Sequence, residues 1–65
     1  MNITINSKAT NTQSENLAQL AAELDLPQKG VAVAVNNRMI PRTDWEATAL
    51  AENDNVVIIK AACGG

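Results

Sequence analysis

The chemistry open to this chain is concentrated in its last three residues, Cys63-Gly64-Gly65. A Gly-Gly end carries no Cβ atoms, so its backbone can lie extended in a channel too narrow for other residues. The reactive group is then the α-carboxylate of Gly65, and no side chain is required. A partner enzyme can join that carboxylate to the α-phosphate of ATP as an acyl-adenylate, which a sulfur nucleophile can attack. A frayed terminus of small residues has the same composition, so the ending alone does not choose. Cys63, the single cysteine, enters such a channel with Gly64. No histidine is present and no cations cluster beside Cys63, so nothing in the sequence lowers its thiol pKa, and it reads as a tolerated small residue.

The rest of the inventory excludes more than it offers. With no His and one Cys in 65 residues, neither a histidine- and cysteine-rich zinc site nor a Ser/His/Asp or Cys/His nucleophile pair can be assembled. One cysteine also allows no internal disulfide, which fits a reducing compartment. Five basic against seven acidic residues give a net charge of −2, the wrong sign for a phosphate-binding surface, so nucleic acid is not an expected partner. The longest apolar run, residues 31–35, is far too short to cross a bilayer, and Met1-Asn2-Ile3-Thr4 lacks the features of a signal peptide. The expectation is a soluble cytoplasmic protein with no membrane contact. At 46% hydrophobic residues the chain can build one core, and a deep catalytic cleft inside it is not expected.

The elements that must position the tail follow from periodicity. Ile3 and Ile5 alternate with Asn2, Thr4 and Asn6, the period of a strand with one buried face. Asn6-Ser7-Lys8 turns the chain, and residues 9–13 return as a more polar strand. Ser14 is read as an N-cap with Glu15 in the first turn of a helix whose apolar face is Leu17, Leu20, Ala21 and Leu24, with Gln19 and Glu23 opposite. The helix ends near Asp25, before the loop marked by Pro27 and Gly30. Residues 31–35 alternate Val and Ala, which predicts a central strand with its Val face toward the helix. Asn36-Asn37 suits a tight turn with positive φ, and Arg38 to Ile40 pairs back until Pro41 stops it. Thr43 and Glu46 have capping-box spacing for a brief helical turn at Asp44-Trp45. Glu52-Asn53-Asp54-Asn55 turns into a last strand, Val56-Val57-Ile58-Ile59, closed by Lys60. Residues 1–60 are thus one domain, and residues 61–65 are expected to project as a flexible tail.

The order β-β-α-β-β-β resembles the α+β β-grasp, or ubiquitin-like, fold, a mixed sheet with one main helix on one face. The resemblance implies that the first and last strands run parallel at the centre. VAVAVN at 31–36, IPRTDW at 40–45, DNVVII at 54–59 and the terminal Cys63-Gly64-Gly65 further resemble the ThiS-type sulfur carriers of thiamine biosynthesis, over nearly the whole chain. The family often has Asn-Gly after the first strand and Gly-Asp before the last, where this chain has Asn6-Ser7 and Asn53-Asp54. Asn53 tolerates left-handed angles; Ser7 does so less readily, so the first turn is expected to take another type.

The resemblance implies a carrier and not a catalyst. A ThiF-like enzyme would adenylate Gly65 using ATP, the product would become a thiocarboxylate with sulfur ultimately from cysteine, and a ThiG-like thiazole synthase would receive that sulfur. ATP and magnesium would belong to the activating enzyme, and the carrier would bind no cofactor of its own. Family register turns Val56 and Ile58 inward and leaves Val57 and Ile59, with Ala32 and Ala34, on the face without a helix, as a partner-binding patch. Asp44, Glu46, Glu52 and Asp54 can steer a basic partner or simply solvate a face. Trp45 reads as a core anchor, and Arg42 as a ligand for a partner carboxylate or a neighbour neutralising Asp44. Three other readings stay open: a ubiquitin-like modifier ending in an isopeptide bond, the small subunit of molybdopterin synthase, and an interaction module indifferent to its tail.

Overall fold

Alternation at Ile3 and Ile5 produces the first strand, β1 (Asn2–Ile5), with Ile3 buried. The structure is a computed structural model that describes residues 1–27 and 29–60. The expected tail, residues 61–65, lies outside the described residues. β1 pairs antiparallel with β2 (Lys8–Asn11), and Ile5 opposite Lys8 leaves only Asn6 and Ser7 in the loop. Both are left-handed, at φ 52° and 68°. The expectation of another turn type is therefore corrected. A two-residue hairpin loop must match the right-handed twist of its strands, which demands positive φ at both positions, and pairing on either side outweighs the local preference of Ser7. β2 stops at Asn11 instead of Gln13, and Thr12 beyond it is buried.

The helix, α1 (Leu17–Glu23), starts later than its sequence cues suggest. Its N-cap is Asn16, whose Oδ1 accepts from the Gln19 backbone N–H at 2.8 Å, while Gln19 Oε1 accepts from the Glu15 N–H at 2.8 Å. Asparagine thus takes the capping role expected of Ser14, and Glu15 lies outside the helix. Ser14 is buried, and its hydroxyl donates to Glu23 Oε1 at 2.7 Å beside the Thr12 hydroxyl, which donates to the same oxygen at 2.6 Å. The apolar face is as expected, with Leu17 and Leu20 buried and Ala21 and Leu24 packed against the core. Asp25, at φ 55°, turns the chain out of the helix.

The two buried hydroxyls hold the Glu23 carboxyl below the ordinary glutamate range, Ser14 having the larger effect and Thr12 the next. A carboxyl lowered on folding stabilises the fold above its unfolded pKa of about 4.3, and that contribution disappears as pH falls through the folded value. Glu23→Gln is therefore expected to be less stable than the parent at pH 7. The difference closes in acid below the folded value, where the parent carboxyl is also neutral. Urea midpoints across the range check this, and a constant offset would refute it.

The remaining strands are β3 (Val31–Val35), β4 (Arg38–Ile40) and β5 (Asn55–Lys60). Asn36 and Asn37, at φ 53° and 70°, form the tight turn between β3 and β4, and Asn53, at φ 71°, takes the left-handed place before β5. Between β4 and β5 the expected capping box does not form. Thr43 lies inside a 3-10 turn, η1 (Arg42–Asp44), that begins after Pro41 with no side-chain cap, and the Thr48 hydroxyl donates to the Asp44 carbonyl instead. The segment's main task is to receive α1. The Leu17 and Ala18 N–H groups donate to the carbonyls of Thr48 and Trp45, and the Leu50 N–H donates to the Glu15 carbonyl, which supplies partners for two donors of the first helical turn.

The five strands form one sheet in the order β2-β1-β5-β3-β4, with β1 and β5 parallel and the other pairs antiparallel. This is the expected α+β β-grasp arrangement, with the first and last strands side by side at the centre. Ile3, Val33, Val35 and Val56 meet Leu17, Leu20, Trp45 and Leu50 in the core, so α1 covers one face only. Among the described residues, no helix is long and apolar enough to cross a membrane.

Candidate functional site

Everything that leads toward residues 61–65 passes through β5, and β5 is held from both sides. On one side Val31 to Val35 pair with Lys60 to Val56 in antiparallel register. On the other, β1 contributes only Thr4 opposite Asn55 and Ile5 opposite Val56 before turning away. Asparagine extends both contacts. The Asn36 N–H donates to the Asn55 carbonyl at 2.7 Å and its Oδ1 accepts from the Asn55 N–H at 2.9 Å. The Asn6 N–H donates to the Val56 carbonyl at 2.9 Å, and its Oδ1 accepts from the Ile58 N–H at 2.8 Å. Each Asn begins a left-handed turn, and its side-chain carbonyl takes the place of a main-chain acceptor.

The uncovered face carries the four residues expected there. Register sets Ala34 opposite Val57 and Ala32 opposite Ile59, while Val33, Val35, Val56 and Ile58 point to the core. Their accessibility is unequal. Ile59 is 49% exposed, Val57 and Ala32 are half-buried, and Ala34 is 8% exposed. Ala34 is thus corrected from contact residue to floor: it sits in the ladder between Val57 and Met39, whose longer side chains screen its methyl group. Met39, at 58% exposure, was missed. The period of two in β4 already implied it, since Ile40 opposite Val33 faces the core and its predecessor must face out. Met39 and Ile59 are the exposed large apolar side chains of the described residues, and both lie on this face. Thr4 and Asn55 border it, with the threonine hydroxyl donating to Asn55 Oδ1 at 2.9 Å.

The charged candidates divide. Asp54 accepts from Asn36 Nδ2 at 3.0 Å and from the Ala51 N–H at 2.8 Å, and Glu52 accepts from the Asn2 N–H at 2.8 Å, so both shape loops. Asp44 and Glu46 are exposed, and Glu46 lacks the capping role its spacing implied. Trp45 is the expected core anchor, buried with its indole N–H donating to the Ile40 carbonyl at 2.9 Å. Arg42 stacks its guanidinium 4.2 Å from the Trp45 ring centroid and donates to the Pro27 carbonyl at 3.0 Å, contacts that bind the loop after α1 to η1. Among the described residues, no group of three or more His, Cys, Asp or Glu side chains could hold a metal ion. Cys63, Gly64 and Gly65 lie outside the described residues.

The pattern has relatives. The model of the ThiS family matches residues 2–65. The sulfur carrier protein ThiS of Escherichia coli is 27% identical over 66 residues, covering 100% of both chains. A crystal structure of the thiamine biosynthesis protein ThiS from Geobacter metallireducens is 28% identical and superposes with a TM-score of 0.84 over 100% of both chains. A solution structure of a thiamine biosynthesis protein from the same organism gives a TM-score of 0.81 at 28% identity, over 100% of this chain and 88% of that one. With the five-stranded sheet, α1 against one of its faces and a match that runs through Gly65, the chain belongs to the ThiS family.

Proposed function

We propose that this protein is a sulfur carrier of thiamine biosynthesis whose working group is the carboxylate of Gly65. The observation that carries the reading is a family match that extends past the last strand to the Gly-Gly end. The Gly65 carboxylate oxygen attacks the α-phosphorus of ATP on a ThiF-like enzyme, a P–O bond forms, and pyrophosphate leaves. A hydrosulfide, its sulfur supplied ultimately from cysteine, then adds to the activated carbonyl carbon, AMP leaves, a proton is lost, and a thiocarboxylate results. Its sulfur passes to a thiazole synthase. ATP and magnesium are bound by the activating enzyme, and the carrier contributes a handle that both enzymes grip.

Intact mass spectrometry tests this after incubation with the ThiF-like enzyme, ATP, magnesium and a sulfur source. A gain equal to exchange of oxygen for sulfur, placed on Gly65 by fragmentation and absent without ATP, is expected. No change with a demonstrably active enzyme overturns the assignment, and an isopeptide product on a target lysine favours a protein modifier.

The open sheet face is the proposed grip, through Val57, Ile59 and Ala32 with Met39 at its side. Burying the exposed part of Ile59 against a partner is worth about 1–2 kcal/mol, and a carboxylate there would have to be desolvated. Ile59→Asp is expected to weaken binding to the adenylating enzyme by on the order of tenfold or more, by calorimetry, with little change in the melting midpoint. Unchanged affinity would move the grip elsewhere.

A further inference from the structure

We infer that Asn6 is a positioning residue for the modification of Gly65, acting through the end of β5; the inference rests on the carrier reading proposed above. β5 continues to Lys60, the last described residue before the tail, while β1 leaves it after the pairing of Ile5 with Val56. From Val57 to Lys60, among the described residues, a strand lies on one side of β5 only, the side of β3. A parallel neighbour would next place a backbone carbonyl against the Ile58 N–H. Asn6 cannot supply its own in the usual way, because φ 52° has already taken it into the turn. Its Oδ1 stands in at 2.8 Å, and its N–H holds the Val56 carbonyl at 2.9 Å.

Asn6 is thus the contact from the β1 side that reaches furthest along β5 toward residue 61. An extended tail threads a narrow channel only if the strand before it leaves the sheet in one direction. The two Asn6 hydrogen bonds restrain that direction from the side where β1 has ended. Asparagine meets both demands, tolerance of left-handed φ and a side-chain acceptor of the right reach. Asn36 gives an internal comparison, since it braces the start of the same strand by the same device at Asn55.

The test uses Asn6→Gly, which keeps the left-handed backbone at no steric cost while removing the acceptor. Asn6→Asp restores an acceptor, and Asn36→Gly is the control. Amide exchange at Ile58 is expected to quicken in Asn6→Gly. The KM of the adenylating enzyme for the carrier rises on the order of tenfold with kcat nearly unchanged, because a strand end braced from the β3 side alone samples more directions, which lowers the fraction of molecules ready to thread. Asn6→Asp recovers most of the KM, and Asn36→Gly, though also less stable, leaves it near the parent value. A parental KM for folded Asn6→Gly, or an equal rise in Asn36→Gly, overturns the inference while the carrier reading stands. Failure of the parent protein itself to become thiocarboxylated overturns the carrier reading and the inference with it.

Discussion

Removal of Gly64 and Gly65, or extension of the chain beyond Gly65, is expected to abolish thiocarboxylation while leaving the unfolding transition of the domain where it was. Extension turns the Gly65 carboxylate into a peptide carbonyl, which is too weak a nucleophile to attack the α-phosphorus of ATP. Deletion would leave the carboxylate on Cys63, short of the reacting phosphate on the proposed activating enzyme by two residues, about 7 Å of extended chain. A misplacement of 1 Å already costs on the order of a hundredfold in such reactions, so both products fall below detection. Stability is expected to be spared because, among the described residues, the buried members of the core cluster lie between Ile3 and Val56. The measurement pairs intact mass with thermal melting for both variants. Sulfur incorporation that survives either change would place the reactive group elsewhere.

The second large effect is on the fold itself. Trp45 is 3% exposed, its ring is covered by the Arg42 guanidinium, its indole N–H satisfies the Ile40 carbonyl, and its own carbonyl accepts the Ala18 N–H at the start of α1. Truncating a buried Trp to Ala costs about 3–5 kcal/mol through lost burial and the cavity left behind. A single core of this size supplies a net stability of about the same order. Trp45→Ala is therefore expected to be largely unfolded at 25 °C. Trp45→Phe keeps most of the ring and orphans the Ile40 carbonyl, for a loss of about 1–3 kcal/mol. Trp45 is the only aromatic residue, so far-ultraviolet circular dichroism in urea is the measurement. A Trp45→Ala variant that melts with the parent would show that the ring is not an anchor.

The secondary-structure elements and the Gly-Gly ending were legible in the chain because they depend on short-range rules. Alternation of Val and Ala at 31–35 specifies a strand and its inward face whatever surrounds it, and Asn36-Asn37 states its own turn. The Leu17, Leu20, Ala21 and Leu24 face is equally local, and the Gly-Gly ending is a feature of composition. Side-chain roles with more than one local partner were decided by the tertiary structure. Ser14 has the chemistry of a cap, but packing brought Glu23 to it and to Thr12, and Asn16 capped the helix instead. Thr43 and Glu46 have capping-box spacing, but the segment that holds them closed into a 3-10 turn and gave its carbonyls to α1. Ser7 became left-handed because two paired strands left it no alternative. Ala34 sank and Met39 rose because exposure on a sheet face depends on the lengths of the neighbours across the ladder. Asn6 shows the division within one residue. Its tolerance of positive φ could be read from its type alone, whereas its hold on Ile58, 52 positions away in sequence, exists only once β1 and β5 lie side by side.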